Sequence, residues 1–486
     1  MKVLITGATG FVGHALALRL LRGGHQVVAW SRSATRARQR LGSGPEIASP
    51  ADGEAALEKA VDGCDAIVNL AGENLFGGRW TRERKRRLVD SRVETTAALV
   101  QAIGKANRRP GVLVSASAVG YYGSPGEAAV DESSPAADDF LAHLCVAWEA
   151  EAARAREHGV RVVTPRIGVV LGAGGGALET MLPVYKMGMG GVLGSGRQYM
   201  SWIHLWDVVE VIQRALSDAR FDGPYNLTAP NPVPQSELNR ALGAVLDKPA
   251  FMRVPGPALK LALGEASQAV LTSQRVLPTR LQDLGYQFVY PSVQEALGAI
   301  LASAELHFTR PDSWPESDYL NARPPTYLLQ QTARLDAPID DVWQFFASPA
   351  NLGAITPPKM DFRILSDVGE DLDIGSLIDY SFRIGGVRLR WRTRIDAWED
   401  GQRFVDSQLK GPYASWWHEH RFAADGDATV VEDRVYYRPP VGVLGRMVHP
   451  FAVKPQLENI FTYRNEAMHL RFGPEPQPAH LGREAA

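Results

Sequence analysis

Three glycines near the start of the 486-residue chain have a spacing suited to chemistry. Gly7-Ala8-Thr9-Gly10-Phe11-Val12-Gly13 follows the apolar run Lys2-Val-Leu-Ile-Thr6 and leads into a helical pattern. A helix N-terminus presents unpaired N–H groups and a positive dipole, so it holds a pyrophosphate where no side chain blocks the approach. In that role Gly7 permits the tight turn, Gly10 lets phosphate reach the backbone, and Gly13 lets helix and strand pack closely. A glycine triplet alone also describes an ordinary tight turn. Its place after a strand and before a helix is what turns it into a dinucleotide signal. The expected contacts are Gly7, Thr9, Gly10, Phe11, Val12 and Gly13.

The tip of the next strand discriminates between cofactors. An NAD site offers Asp or Glu about 20 residues past the glycines, for the ribose 2′-hydroxyl. Here the tip reads Trp30-Ser31-Arg32-Ser33, with Arg36 one helical turn on. No carboxylate opposes a 2′-phosphate, and a guanidinium binds one through charge-assisted hydrogen bonds. Ser31, Arg32 and Arg36 thus predict NADP (NADPH) over NAD; the alternative is that Arg32 is merely solvated. Asn69-Leu70-Ala71-Gly72 ends another apolar strand, where small residues would let a nicotinamide ribose lie against the backbone.

These residues need a scaffold, and the hydrophobic pattern predicts one. Up to about residue 230, the runs Val3–Thr6, Gln26–Trp30, Ala66–Leu70, Val112–Ala116 and Arg161–Leu171 alternate with helical stretches. Those stretches are His14–Arg22, Glu54–Val61, Ser91–Lys105, Phe140–Glu157 and Trp206–Ser217. Such alternation predicts an α/β Rossmann domain over residues 1–230, a doubly wound parallel sheet with an interleaved substrate region. Residues 231–307 read as a small, mostly helical subdomain. Residues 308–325, with four prolines and few aliphatics, read as a linker.

From residue 326 to 472 the texture is α+β. Strands are expected at Tyr327–Leu335, Phe362–Leu365, His418–Phe422 and Thr429–Tyr437, with helices at Ile339–Phe346 and Leu457–Arg471. Arg388, Arg390, Arg392 and Arg394 alternate with Leu389, Trp391, Thr393 and Ile395, the pattern of a half-buried strand with one cationic face. Residues 473–486 read as a polar tail.

Charge and composition narrow the function classes. Fifty-two basic against 54 acidic side chains give a net charge of −2, so no global cationic field awaits nucleic acid. The basic run Arg79, Arg82, Arg84, Lys85, Arg86 and Arg87 contains Glu83 and reads as a solvated helix face. The two cysteines, Cys64 and Cys145, cannot form a disulfide framework. Gly7 interrupts any apolar core of a signal peptide, and no run is long enough to span a membrane. A cytoplasmic protein is expected. No metal-ligand spacing of Cys or His stands out.

The motifs resemble the extended short-chain dehydrogenase/reductase superfamily and, within it, an uncharacterised epimerase-like subfamily. TGATGFVG, NLAGENL, RWT, SASAVGYYG, the Pro165-Arg166-Ile167-Gly168 segment, GSGRQYMSWIH and LTSQRVLPTRLQDLGYQF carry the likeness over most of residues 1–300. The resemblance implies cofactor contacts at Ser115 and Arg166 and a catalytic serine at Ser117. Members are known for a Tyr and a Lys four residues apart, the phenol acting as general acid or base. This chain contains no Tyr-x-x-x-Lys; Cys145 and Glu149 stand at the corresponding positions. Loss of a positioned acid/base forfeits about 10²–10⁴-fold in rate.

Substitutes are available. Tyr121 or Tyr122 could supply the phenol, or simply pack as loop aromatics. Cys145 and Glu149 could pair, but a nearby carboxylate raises a thiol's pKa, the wrong direction for activation. Otherwise Cys145 is a small buried apolar residue. The resemblance places the substrate pocket around Glu73, Arg197, Trp202 and His204; Glu73 could instead cap a segment, and His204 could fix its loop. Two functions follow. One is an NADP-dependent oxidoreductase or epimerase-like enzyme acting on a small molecule. The other is a non-catalytic NADPH-sensing or ligand-carrier protein.

Residues 326–472 resemble the START-like, polyketide-cyclase-like (SRPBCC) superfamily, through an opening strand followed by DAPIDDVWQFFASPANLGAITPP, a meander and a long closing helix. That resemblance implies a helix-grip fold and a hydrophobic ligand in a cavity lined by Leu389, Trp391, Trp398, Phe404, Trp416 and Trp417. The alternative is that these aromatics fill a solid core. Fusions of such modules to the epimerase-like subfamily are known.

Overall fold

The computed structural model describes residues 1–302, 306–366, 372–473 and 476. They fall into two compact units, one built on Met1–Ala37 and Gly44–Ile300, the other on Arg38–Ser43 and the chain from Leu301 onward.

In the first unit, seven strands hydrogen-bond side by side. They are β1 (Lys2–Thr6), β2 (Gln26–Trp30), β3 (Glu46–Ala48), β4 (Ala66–Asn69), β5 (Val112–Ser115), β6 (Arg161–Ile167) and β7 (Gly223–Leu227). Their order is 7-6-5-4-1-2-3, with each pairing parallel. Val3, Leu4 and Ile5 are all fully buried, as are Ile67 and Val68, so both faces of the sheet are covered. That double burial is why these strands read as continuous apolar runs rather than alternating ones. Four helices matter for the site: α1 (Phe11–Arg22), α2 (Arg82–Lys105), α3 (Phe140–Ala153) and α4 (Leu205–Ser217). On one face Leu4, Ile67, Leu113 and Val162 meet Leu99 and Ile103 of α2 and Ala152 of α3.

Two boundaries differ from expectation, each for a local reason. Helix α2 starts at Arg82 rather than Ser91, because the Thr81 hydroxyl accepts the Arg84 N–H at 3.1 Å and caps it. The run Arg161–Leu171 breaks at Gly168, where a Cβ would stand 2.5 Å from the Ser201 carbonyl oxygen. Beyond the break, Val169–Leu171 pairs with Trp202–His204.

Residues 231–300 pack within this first unit as mostly helical structure. Asp207 on α4 fastens them: Oδ1 accepts the Tyr286 hydroxyl at 2.8 Å and the Val289 N–H at 2.9 Å, and Oδ2 accepts the Tyr290 N–H at 3.3 Å.

The second unit is an antiparallel sheet with a long helix against it. Its strands are β8 (His307–Thr309), β9 (Tyr327–Leu335), β10 (Arg363–Ile364), β11 (Leu377–Ile384), β12 (Val387–Glu399), β13 (Arg403–Lys410), β14 (Ser415–Asp425) and β15 (Ala428–Arg438). Their order is 8-9-15-14-13-12-11-10. After α5 (Ile339–Ala347), the closing helix α6 (Lys454–Phe472) seats Leu457 and Phe461 on Tyr327, Leu329, Val435 and Tyr437. On β12, Trp391, Thr393 and Ile395 are buried while Arg392 is exposed, so the arginine alternation does mark one wet face.

Residues 308–325 correct the linker expectation. Strand β8 pairs with β9, and Asp318–Ala322 forms a short helix. Tyr319 and Leu320 are buried against Leu328, Val405, Trp417 and Tyr436, and the Tyr319 hydroxyl donates to the Gln408 carbonyl at 2.9 Å. Two large apolar side chains outweigh the prolines, making the segment part of the second unit's core. The polar tail expected at 473–486 lies, apart from Gly473 and Pro476, outside the described residues.

Asp207→Ala leaves a buried hydroxyl and two N–H groups without their acceptor, at about 1–3 kcal/mol for each. Urea unfolding of the full chain, followed by a probe in the first unit, should show a loss of at least about 3 kcal/mol. A loss under about 1 kcal/mol would remove Asp207 as the fastener.

Candidate functional site

The strand order reverses between β1 and β4, and the loops after these two strands open the crevice where such sheets bind ligands. Gly7 has φ +70°, and a Cβ there would stand 2.6 Å from the Leu70 carbonyl oxygen. A Cβ on Gly13 would stand 2.2 Å from the Gly7 carbonyl oxygen. Gly10 caps α1 with no side chain to occupy its first N–H groups, and no acidic residue lies in the first turn. Gly10 is exposed while Thr9 and Val12 are half-buried, so the turn opens to a ligand. The Phe11 ring has a different task. It packs on Gly172, Gly175 and Gly176 so closely that a Cβ on Gly175 would lie 2.2 Å away, and thereby fixes the loop beyond Leu171.

Beside this cradle, Ser31 bonds locally to Ser33; Arg32 is exposed just past the tip of β2, and Arg36 is exposed in the first turns of the helix Ala34–Leu41 that follows. Leu70, Ala71 and Gly72 sit at the end of β4, Gly72 exposed. Asn69 and Ser115, expected at the cofactor, are fully buried. The Asn69 side chain accepts from the Thr6 hydroxyl at 2.6 Å and donates to Thr96 at 2.8 Å and Ser115 at 3.1 Å. These two residues tie β1, β4 and β5 to α2 below the crevice; they do not face it.

One polar network fills the place where the superfamily's tyrosine and lysine would stand. Ser117 Oγ donates to Glu149 Oε1 at 2.6 Å, and Arg166 grips the same carboxylate through Nε at 2.8 Å and Nη2 at 2.9 Å. Arg166 Nη1 donates to the Tyr122 hydroxyl at 2.9 Å, which donates to Asn226 Oδ1 at 2.7 Å. The guanidinium also lies 3.4 Å from the centre of the half-buried Tyr121 ring. Burial alone would lower Arg166, but the bonds and charge of Glu149 outweigh it and hold the guanidinium above its ordinary range. Burial pushes Tyr122 up to about 12. Arg166, expected at the cofactor, is buried in this network.

Glu149 therefore pairs with Arg166 rather than with Cys145. The Cys145 thiol donates to the Ala118 carbonyl at 3.6 Å, and burial, reinforced by the Glu149 charge, pushes it up to about 11. Cys145 is a small interior residue.

The expected substrate residues disperse. Trp202 is fully buried, its indole N–H on the Asn231 carbonyl at 3.0 Å. His204 caps α4 by accepting the Trp206 N–H at 3.0 Å and stacks 4.0 Å from Tyr290; burial pushes it down to about 3. Both belong to the short strand beside Val169–Leu171, whose side chains point inward. The Glu73 carboxylate bonds Arg84, and Arg84 is buried, so one member of the basic run leaves the solvated face. Lys85 pairs with Glu265. Arg197 is exposed on its loop. Sequence reading missed Asn226 and Thr96, polar residues whose only signal is their burial.

The second unit encloses a cavity of about 190 Å³ beneath α6. Trp391, Phe404 and Trp416 line it with Tyr380, Tyr413 and Phe461. Leu389, Trp398 and Trp417 do not, correcting half of the expected lining. Trp417 follows Trp416 on β14 and so faces the other side of the sheet, against Tyr319 and Leu328. Trp398 meets Trp343 edge to face near the strand's end. One polar stretch of wall carries Asp406, His418, His420 and Arg464.

A parallel sheet whose order reverses over an open glycine cradle defines a Rossmann-type, dinucleotide-binding class of α/β protein. Family models agree: NAD dependent epimerase/dehydratase matches residues 3–227, and a domain of unknown function, DUF1731, matches residues 254–300. An Arabidopsis thaliana protein, "Epimerase family protein SDR39U1 homolog, chloroplastic", is 44% identical over 303 residues, 62% of this chain and 87% of its own. A crystal structure of human epimerase family protein SDR39U1 with NADPH is 34% identical, with a TM-score of 0.55, covering 61% of this chain and 98% of that one. The UDP-glucuronic acid 4-epimerase of Bacillus cereus, solved with NAD, shares the fold at 18% identity and a TM-score of 0.51, over 62% of this chain and 97% of its own. The chain belongs to the epimerase family of the extended short-chain dehydrogenase/reductase superfamily. The cytoplasmic expectation gains no support from a relative named as chloroplastic. Among the described residues, no helix is long and apolar enough to cross a membrane.

Two outcomes follow from this geometry. Cys64, like Cys145, is pushed up to about 11 by burial, so both thiols should resist a disulfide reagent in the folded chain at about pH 8 and react fully on unfolding. Rapid labelling of the native protein would contradict this. Glu149→Ala strands the Arg166 guanidinium without its partner and should destabilise the first unit by about 3–5 kcal/mol in urea unfolding.

Proposed function

We propose that the first unit is an NADP(H)-dependent oxidoreductase acting on a small carbonyl or hydroxyl compound. The observation that carries this reading is the open glycine cradle beside a strand tip bearing Arg32 and no carboxylate. Arg32 and Arg36 would bind the 2′-phosphate, the first N–H groups of α1 the pyrophosphate, and Gly72 would leave room for the nicotinamide ribose. The cofactor supplies the hydride. Tyr121 gives its phenolic proton to the substrate oxygen as the hydride reaches the carbon, and takes it back from solvent. Its half-exposed ring against Arg166 supports this role, since the Tyr122 hydroxyl already donates to Asn226. Exposed Arg197 would meet an anionic part of the substrate. The second unit, with its antiparallel sheet, closing helix and aromatic cavity, is read as a START-like module holding a small apolar ligand.

The Ser117 bond to Glu149 favours a second reading, a non-catalytic NADPH sensor or carrier, because it occupies the hydroxyl that would otherwise face substrate. NADPH oxidation across a panel of aldehydes and ketones separates the two. The enzyme reading expects turnover that falls about 10²–10⁴-fold in Tyr121→Phe. Tight NADPH binding without turnover on any carbonyl supports the carrier. For the cofactor, Arg32→Ala should weaken NADPH binding by about 1.5–3 kcal/mol per lost bond and leave NADH unchanged. Equal losses for both would reject NADP selectivity.

A further inference from the structure

The register of β13, β14 and β15 gathers four ionisable side chains on the inner face of the second sheet. Asp406 stands opposite His418, and His420 opposite Asp433; the two imidazoles, two residues apart on β14, share one face. Both imidazoles and Asp433 are buried, and Asp406 is half-buried. Asp433 Oδ1 lies 3.0 Å from His418 Nε2 and 2.7 Å from His420 Nδ1, and accepts from Arg464 Nη2 at 3.0 Å. Arg464 Nη2 also lies 3.2 Å from His420 Nδ1, so that nitrogen faces both a carboxylate and a guanidinium.

The opposite ring nitrogens face Asp406. His418 Nδ1 and His420 Nε2 lie 3.8 and 3.3 Å from Asp406 Oδ1. Three potential ligand atoms thus converge, and the 3.3 Å contact of His420 Nε2 with Asp406 Oδ1 is bridged either by a ring proton or by a cation.

We propose that Asp406, His418 and His420 bind one divalent transition-metal ion of the zinc–iron class, with Asp433 and Arg464 orienting the ligands. The ligand atoms lie within 4.8 Å of one another. Bonds of about 2.0–2.2 Å place ligand atoms about 3.0–3.5 Å apart, so the two Asp406 contacts need at most a few tenths of an ångström and the widest pair up to about an ångström of closure. A carboxylate on the far nitrogen of each imidazole is the arrangement that orients metal-bound histidines. Two imidazoles and one carboxylate suit zinc or iron(II) and leave coordination positions open. All three ligands line the aromatic cavity, so a molecule held there would meet the ion directly. Among the described residues lining the cavity, Arg464 is the one Arg or Lys beside the carboxylates of Asp406 and Asp433, so a second positive charge comes from a bound cation or from an imidazolium. This site stands independently of the NADP(H) reading of the first unit.

The test uses the full-length chain, stripped with a chelator and titrated with Co²⁺ while the visible d–d bands are recorded. One equivalent should bind, Zn²⁺ should displace it, and X-ray absorption should find two imidazoles and an oxygen ligand. His418→Ala, His420→Ala and Asp406→Asn should each abolish the band, with circular dichroism confirming a folded chain. Asp433→Asn should keep one equivalent but weaken it about 10–100-fold. The site is overturned if the stripped wild-type chain binds no Co²⁺, or if folded ligand variants bind it as tightly as the wild type. Imidazole ¹⁵N spectra showing a proton shared between Asp406 and a charged histidine, unchanged by metal, would equally replace the ion with an imidazolium.

Discussion

Close backbone approach at Gly7 and Gly13 is the constraint on which the first unit depends. The Gly7 carbonyl lies where a Gly13 side chain would be, and the Leu70 carbonyl lies where a Gly7 side chain would be. One pair of missing Cβ atoms brings α1 onto its loop, and the other brings that loop onto the end of β4. Adjacent strands and the helix thereby meet at the reversal of strand order, where the N–H groups of α1 remain uncapped. A methyl group at either glycine would force these elements apart by roughly an ångström or more, given that carbon and oxygen rest at about 3.5 Å. Everything assigned to the crevice, from the arginines that follow β2 to Gly72, takes its place from that contact.

Deeper in the crevice, the replacement of the superfamily's Tyr–Lys pair has a coherent physical form. A glutamate at the lysine position would be an unpaired buried anion, and Arg166 from β6 supplies the missing charge with two bonds to it. The short Ser117–Ala118 strand pairs with β6 so that Ser117 lies opposite Arg166, which is why one carboxylate can serve both. The cation has moved from helix to sheet. Phenols remain nearby, but of the two only Tyr121 keeps its hydroxyl outside the network.

Legibility in the sequence followed the range of the interaction. The parallel sheet, the cradle and the closing helix were readable because local periodicity and glycine spacing encode them. The resemblance located Cys145 and Glu149 but not the partner of Glu149, since Arg166 is set by sheet register. His204 and Trp202 looked like pocket residues from a polar motif, and only the pairing of two short strands shows that they point inward. The prolines of 308–325 suggested a linker because proline frequency says nothing of two buried residues, Tyr319 and Leu320. The metal-ligating pattern escaped for a similar reason. His418 and His420 are legible as one strand face, but Asp406 joins them only through the pairing of β13 with β14.

The two units resolve buried charge in opposite ways. In the first, Glu149 and Arg166 neutralise each other, and every polar partner named around them has a bond. Such a closed pair can be retained for geometry alone, since breaking it is costly even when forming it yields little net stability. In the second, two carboxylates face one guanidinium among aromatic rings, with two imidazoles between them. Burying an unbalanced anion in an apolar wall costs several kcal/mol, and a well-packed apolar replacement would avoid it. A sheet that could have been filled with aromatics throughout instead keeps a site whose charge needs a second positive partner beside Arg464. That imbalance, more than the cavity's size, separates a functional wall from a packed core.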